Sequence, residues 1–148
     1  MARTKATGRD SRPRVVDVMT RAPLTVTATE TIGEADDLMS QNKIRQLPVV
    51  KGKELVGIVT DRDLLSFLSG SLLASPEQRE LALKTRVREI MTSDPITVGP
   101  DDDLEEAVEL LIEEKVGGIP VVDETEGLVG IVTYVDVLRC FLNWLQEE

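Results

Sequence analysis

Apolar residues in this chain fall into short runs separated by polar stretches, and the spacing inside each run sets the element it predicts. Ile32, Ala35 and Met39 recur at helical intervals, as do Leu104, Ala107, Val108 and Leu111, so each set predicts a helix with one apolar face. Leu47–Val50, Leu55–Val59, Ile119–Val122 and Leu128–Val132 are near-continuous apolar runs, the pattern of strands buried on both faces. Lys51-Gly52-Lys53-Glu54 and Asp123-Glu124-Thr125-Glu126-Gly127 join these runs in pairs and read as hairpin loops of four and five residues. Leu24–Thr27 and Ile96–Val98 each follow a proline turn and read as short strands. A last helix begins at Asp61 and again at Tyr134. The predicted order, strand-helix-strand-strand-helix, is written twice.

The repetition extends to the residues themselves. Val15-Val16-Asp17-Val18-Met19-Thr20 returns as Val87-Arg88-Glu89-Ile90-Met91-Thr92, and Pro23-Leu24-Thr25-Val26 returns as Pro95-Ile96-Thr97-Val98, at an offset of 72 positions. Leu47-Pro48-Val49-Val50 and Ile119-Pro120-Val121-Val122 keep that offset. It becomes 73 at Leu55-Val56-Gly57-Ile58-Val59-Thr60 and Leu128-Val129-Gly130-Ile131-Val132-Thr133, so one residue has been added in the polar hairpin connection. Two copies of one small fold follow. Ser75 can cap a connecting helix, with Pro76 at its first position and Gln78 completing a capping box, while Leu83, Val87 and Ile90 share a face. The expected organisation is a basic disordered tail (1–13), repeat 1 (14–70), a helical connector (71–86), repeat 2 (87–143) and a short end (144–148). A copy of about 55 residues is too small to be comfortably stable alone, so the pair is expected to fold cooperatively.

Composition narrows the function classes. Aromatics are 3% against 41% apolar residues, so the core must be built from Val, Ile, Leu and Ala. The chain has a single cysteine, Cys140, and no histidine, which removes internal disulfides, the usual zinc and iron ligand sets and His-dependent triads. No metal site and no required cofactor are expected. The acidic run Asp101–Asp103 with Glu105, Glu106, Glu109, Glu113 and Glu114 lacks the spacing of a calcium loop and reads as a solvated helix face. Net charge is −10, which argues against nucleic acid as the main partner. Residues 1–14 are an exception, with five basic groups against Asp10; they read as a solvated leader or as a contact for an acidic partner. With no membrane span and no signal peptide, a soluble cytoplasmic protein is expected. No nucleophile–base pair is visible, so no enzyme is expected.

The residues with chemistry to offer stand where a strand runs into a helix. Thr60-Asp61-Arg62-Asp63 and Thr133-Tyr134-Val135-Asp136 place a hydroxyl at the junction and a carboxylate three residues on. Thr-x-x-Asp is a capping box in its own right. It is also an arrangement in which free helix N–H groups suit an anion and an Asp can accept ribose hydroxyls. Both readings stay open, and they can coexist. Arg45 and Arg62 are either solvated or donors to phosphate. Met19 and Met91 read as gap fillers, and Trp144 as apolar surface for the connector or a second chain.

The ordered set Met-Thr, Pro-x-Thr-Val, Leu/Ile-Pro-Val-Val and Gly-Ile-Val-Thr-x-x-Asp, occurring twice, resembles the tandem cystathionine-beta-synthase (CBS) domain pair, or Bateman module, over residues 14–142. The resemblance implies an α+β (mixed α/β) fold of two strand-helix-strand-strand-helix repeats packed with pseudo-twofold symmetry, with two clefts for adenosyl ligands such as AMP, ADP, ATP or S-adenosylmethionine. It implies one site formed by Leu24, Thr25, Val26, Arg45, Gln46, Leu47, Pro48, Arg62, Thr133 and Asp136. It implies a second from Thr60, Asp63, Ile96, Thr97, Val98, Gly118, Ile119 and Pro120, with Gly117 alongside. This second set is expected to be weaker for phosphorylated ligands, because Gly117-Gly118 and Val135 replace its basic groups. The function implied is a non-catalytic regulator, as in energy sensing, that signals to an effector protein and forms a homodimer. The alternative is a structural dimerisation or protein-interaction module with vestigial clefts.

Overall fold

The computed structural model describes residues 12–69 and 75–147. Residues 1–11 of the basic leader, 70 at the end of repeat 1, 71–74 at the start of the connector and 148 at the C-terminal end lie outside the described residues. Along the chain run α1 (Val15–Val18), β1 (Thr20–Arg21), β2 (Val26–Thr27), α2 (Ile32–Asn42), β3 (Gln46–Lys51), β4 (Glu54–Thr60), α3 (Asp61–Ser69) and α4 (Pro76–Leu83). A 3-10 turn at Val87–Glu89 follows, then β5 (Thr92–Ser93), α5 (Leu104–Glu114), β6 (Gly118–Asp123), β7 (Gly127–Thr133) and α6 (Tyr134–Gln146). The fold is mixed α+β, with two separate sheets.

The chain divides into two compact units, a central one at Pro23–Pro95 and a terminal one that joins Met1–Ala22 to Ile96–Glu148. In the central unit the strand order is β2-β3-β4-β5, with β2 parallel to β3 and the other pairs antiparallel. In the terminal unit the order is β1-β7-β6, all antiparallel, and Val98 adds one parallel bridge to Val121. The strands expected at Leu24–Thr27 and Ile96–Val98 are therefore shorter than the pattern suggested. Pro23 and Pro95 offer no N–H, and Leu24 and Ile96 are 44% and 41% exposed. Pairing begins only at the buried Val26 and Val98.

The hairpins are tighter than four and five residues, because the outer loop residues pair: Lys51 with Glu54, and Asp123 with Gly127. Gly52 (φ 62°) and Gly127 (φ 79°) supply the left-handed conformation these turns need. Both hairpins shift register at the same place, leaving Val56 and Val129 as bulge residues. Backbone and hydroxyl donors of Thr125 and the Glu126 N–H hold the Asp123 carboxyl below its usual value of 3.8. The stabilisation from that turn is thus complete above pH about 4 and is lost as pH falls through the lowered value.

The helical faces are those the spacing predicts. Ile32, Ala35 and Met39 are buried on α2, and Leu104, Ala107 and Leu111 on α5, with Val108 partly buried beside them. Thr31 caps α2 and Ser75 caps α4 through reciprocal capping boxes with Glu34 and Gln78. Leu83 and Ile90 pack against the core cluster that contains the buried Val87.

Each unit is completed by the opening segment of the other repeat. Val87 belongs to the central core with Ile32, Leu47 and Val59, whereas Val15 and Met19 belong to the terminal core with Ile119 and Val132. The backbone bonds match: Val87 and Arg88 donate to Glu30 and Ala28 at 2.8 and 3.0 Å, and Val15 and Val16 donate to Asp102 and Pro100 at 2.9 Å. Arg12, at the end of the leader, pairs with Glu105 at 2.8 Å, and Pro13 accepts from Leu104 N–H.

A glycine makes each docking possible. A Cβ on Gly130 would stand 2.6 Å from Met19 Sδ and 2.9 Å from the Thr20 carbonyl; one on Gly57 would stand 2.7 Å from Met91 Sδ and 2.8 Å from the Thr92 carbonyl. The thioether can move, but the edge-strand carbonyl cannot without giving up its pairing. Gly57→Ala and Gly130→Ala are each expected to lower unfolding free energy by about 1–3 kcal/mol in urea titrations, as overpacking does. Unchanged stability in both would show that β1 and β5 are not held against these strands.

Candidate functional site: two capped strand-to-helix junctions

In the central unit three segments meet at one end of the sheet. β2 and β3 run parallel with Val26 in register with Val49, so Leu24 and Thr25 precede the ladder at the end of the sheet where β3 begins with Gln46, Leu47 and Pro48. Gln46 is in register with Thr60 at the end of β4, and the Arg45 carbonyl accepts from Asp61 N–H at 2.9 Å. Leu47 and Pro48 are fully buried, Gln46 is half-buried, and Arg45 and Arg62 are exposed. Among the described residues neither arginine side chain has an acceptor, so both remain available to an anion.

The terminal unit repeats the arrangement with different chemistry. Val98 N–H donates to the Pro120 carbonyl at 3.1 Å, Gly118 is in register with Thr133, and Tyr134 N–H donates to the Gly117 carbonyl at 3.2 Å. Ile96 and Thr97 are exposed while Gly118, Ile119 and Pro120 are buried. Here the corner holds Gly117-Gly118 and Val135 where the central unit has Arg45-Gln46 and Arg62. The central unit therefore gathers Leu24–Val26, Arg45–Pro48 and Arg62 of the first set with Thr60 and Asp63 of the second. The terminal unit gathers Ile96–Val98 and Gly118–Pro120 with Thr133 and Asp136. Each set inferred from the resemblance draws on both units.

The capping reading of Thr-x-x-Asp holds at both junctions. Thr60 N–H donates to Asp63 Oδ2 at 2.9 Å and Asp63 N–H donates back to Thr60 Oγ1 at 3.1 Å. Thr133 N–H donates to Asp136 Oδ2 at 2.9 Å and Asp136 N–H donates to Thr133 Oγ1 at 3.2 Å. These bonds satisfy helix N-terminal donors and fix each carboxylate at the helix start.

The two carboxylates are not equivalent. Asp136 is 6% exposed, and its second oxygen is engaged as well: Thr20 Oγ1 donates to Oδ1 at 3.0 Å, with the Arg139 guanidinium 3.8 Å from the same atom. Asp63 is half-exposed, and among the described residues no side chain donates to its Oδ1. Thr92, the repeat counterpart of Thr20, pairs with Ile58 as Thr20 pairs with Ile131, but makes no bond to Asp63 among the described residues. Ser66 stands where the other copy has Arg139. Sequence reasoning missed Thr20 and Arg139; the signal for Thr20 was its place in the repeated Met-Thr pair.

Two copies of a small α+β unit, each with a carboxylate anchored at a helix start, define a tandem-repeat module. A family model of the CBS domain matches residues 15–70 and 87–143, and the chain belongs to the CBS-domain family. It is 36% identical over 133 residues to the uncharacterized protein MJ1225 of Methanocaldococcus jannaschii, covering 84% of this chain and 48% of that protein. It is 40% identical over 124 residues to the inosine-5'-monophosphate dehydrogenase of Korarchaeum cryptofilum, covering 84% of this chain and 23% of the enzyme. The chain thus spans about half or less of these two relatives. With the CBS domain-containing protein YhcV of Bacillus subtilis the identity is 34%, over 83% of this chain and 81% of YhcV. Among solved structures, CBSX2 in complex with AMP, a protein of Arabidopsis thaliana, superposes with a TM-score of 0.75 at 32% identity, covering 88% of this chain and 96% of that one. The CBS domain pair of protein MJ0100, in complex with 5'-methylthioadenosine and S-adenosyl-L-methionine, gives 0.76 at 29% identity, covering 89% and 98%.

The inequality of the caps has a measurable consequence without any ligand. Asp136→Ala removes an acceptor serving three donor groups and is expected to cost about 2–3 kcal/mol of unfolding free energy, against about 1 kcal/mol for Asp63→Ala. Equal costs in denaturant titrations would show that the Thr20 bond contributes nothing.

Proposed function

We propose that this chain is a non-catalytic regulatory module that binds an adenosyl ligand (AMP, ADP, ATP or S-adenosylmethionine) and signals its occupancy to an effector protein. The observation that carries the proposal is the twice-occurring strand-to-helix junction with its Thr and Asp, in a chain whose structural relatives include one complex with AMP and one with S-adenosyl-L-methionine. The proposed contacts are the two residue sets given above. An Asp at a helix start suits ribose hydroxyls, and Arg45 and Arg62 suit phosphate. The set that includes Asp136 also includes both arginines, which favours a phosphorylated ligand there and a weaker or uncharged one at the other. The ligand acts on the effector only as far as it binds two conformations of the module unequally.

A second reading, as a protein-interaction or dimerisation module, is favoured by α6. Leu138, Phe141, Leu142 and Leu145 recur along it at 50–57% exposure, and Trp144 stacks on Phe141 with ring centroids 5.7 Å apart. We propose that this face serves a homodimer in either reading.

A thermal-shift series with AMP, ADP, ATP and S-adenosylmethionine separates the two readings, since only a ligand-binding module gains stability by mass action. The expected result is a rise of roughly 5–10 °C at a ligand concentration about 100 times Kd. Calorimetry is then expected to show greater loss of nucleotide affinity in Asp136→Ala than in Asp63→Ala. No shift with any of the four, from folded protein, leaves the interaction module as the better account.

A further inference from the structure

We infer that Thr20 limits the ligand affinity at Asp136, because its hydroxyl holds one of the two acceptor positions that the cap leaves open to the paired ribose hydroxyls. The inference rests on the adenosyl-ligand reading and adds to it a residue that neither proposed set contains. Asp136 Oδ2 is committed to the cap by Thr133, so Oδ1 is the oxygen left for a ligand. That oxygen already accepts from Thr20 Oγ1 at 3.0 Å. The donor arrives on β1, whose pairing of Thr20 with Ile131 fixes its position beside the cap.

The bond acts as an internal competitor. The first ribose hydroxyl can take the open acceptor position of Oδ1, whereas the second must displace Thr20 and exchanges one hydrogen bond to the carboxylate for another, so only the second gains little; both arginines of the same set keep this the stronger site for a nucleotide. At Asp63 no such exchange is required, since the equivalent Thr92 makes no bond to it among the described residues. The repeat thus carries the same capping Thr and Asp and the same edge-strand Thr at both junctions but the competing contact at one. Thr20 is exposed, so its hydroxyl can turn to water when displaced, and the exchange needs no rearrangement of the core.

The test is calorimetry of AMP binding to the full chain and its variants. Thr20→Val keeps the β-branched shape and removes the donor, and is expected to tighten AMP about tenfold, the size of one hydrogen bond to a charged group. Thr20→Ala is expected to do the same, so the test does not depend on one variant folding well. Thr20→Ser restores the hydroxyl and the wild-type affinity. The 2',3'-dideoxy analogue of AMP, lacking both ribose hydroxyls, is expected to bind wild type and Thr20→Val alike. Wild type that binds AMP together with Thr20→Val and Thr20→Ala that bind no tighter overturns the role of Thr20 and leaves the adenosyl reading standing. A gain that persists with the dideoxy analogue also overturns it, since the hydroxyl exchange is then not its source. Failure of every variant to bind AMP overturns the ligand reading and this inference with it.

Discussion

A glycine in the second strand of each hairpin lets an edge strand from the other repeat lie against it, and most of the structure depends on that approach. Gly130 leaves room for Met19 and the Thr20 carbonyl; Gly57 leaves room for Met91 and the Thr92 carbonyl. Any larger residue would put a side-chain carbon within 3 Å of a paired backbone oxygen. With the room present, α1 and β1 close the terminal unit and the 3-10 turn with β5 closes the central one. Each brings a fully buried valine, Val15 or Val87, into a core otherwise made by the other repeat. Among the described residues the cores hold no aromatic side chain, so packing rests on many small aliphatic contacts that tolerate little misfit.

The same docking determines what happens at the helix starts. Bringing β1 alongside β7 carries the Thr20 hydroxyl to the cap of α6, where it meets Asp136. Asp136 is the one buried charged residue among the described residues, and it is tolerated because hydroxyl and amide donors and a nearby guanidinium surround it. The equivalent docking of β5 leaves Asp63 with the cap alone. One repeated sequence thus gives two junctions of different availability. The difference arises from how closely a two-residue edge strand presents its hydroxyl.

Much of this was legible in the chain. The duplication, the apolar faces of α2 and α5, the hairpin pairs, the caps at Thr60, Ser75 and Thr133, and the family follow from spacing and local chemistry, which the sequence carries directly. The closing segments were not legible in the same way. Thr20–Arg21 and Thr92–Ser93 are too short to show a period, and their partners lie far along the chain. The clue was the glycine within each Gly-Ile-Val-Thr run, since glycine inside a strand marks a close backbone approach. Leu24 and Ile96 misled in the opposite sense: they look like strand residues, yet a preceding proline and exposure keep them out of the ladder. Which carboxylate is already bonded could not be read at all, because Thr20 and Thr92 occupy identical places in the repeat.

The most direct test of the account is an amide-resolved NMR titration of the isotopically labelled full chain with AMP. The account predicts saturable shifts concentrated at the junction amides, Thr60 to Asp63 and Thr133 to Asp136, and at Thr20, with α5 and the outer face of α6 unmoved. Shifts confined to the outer face of α6, or none at either junction, would contradict it.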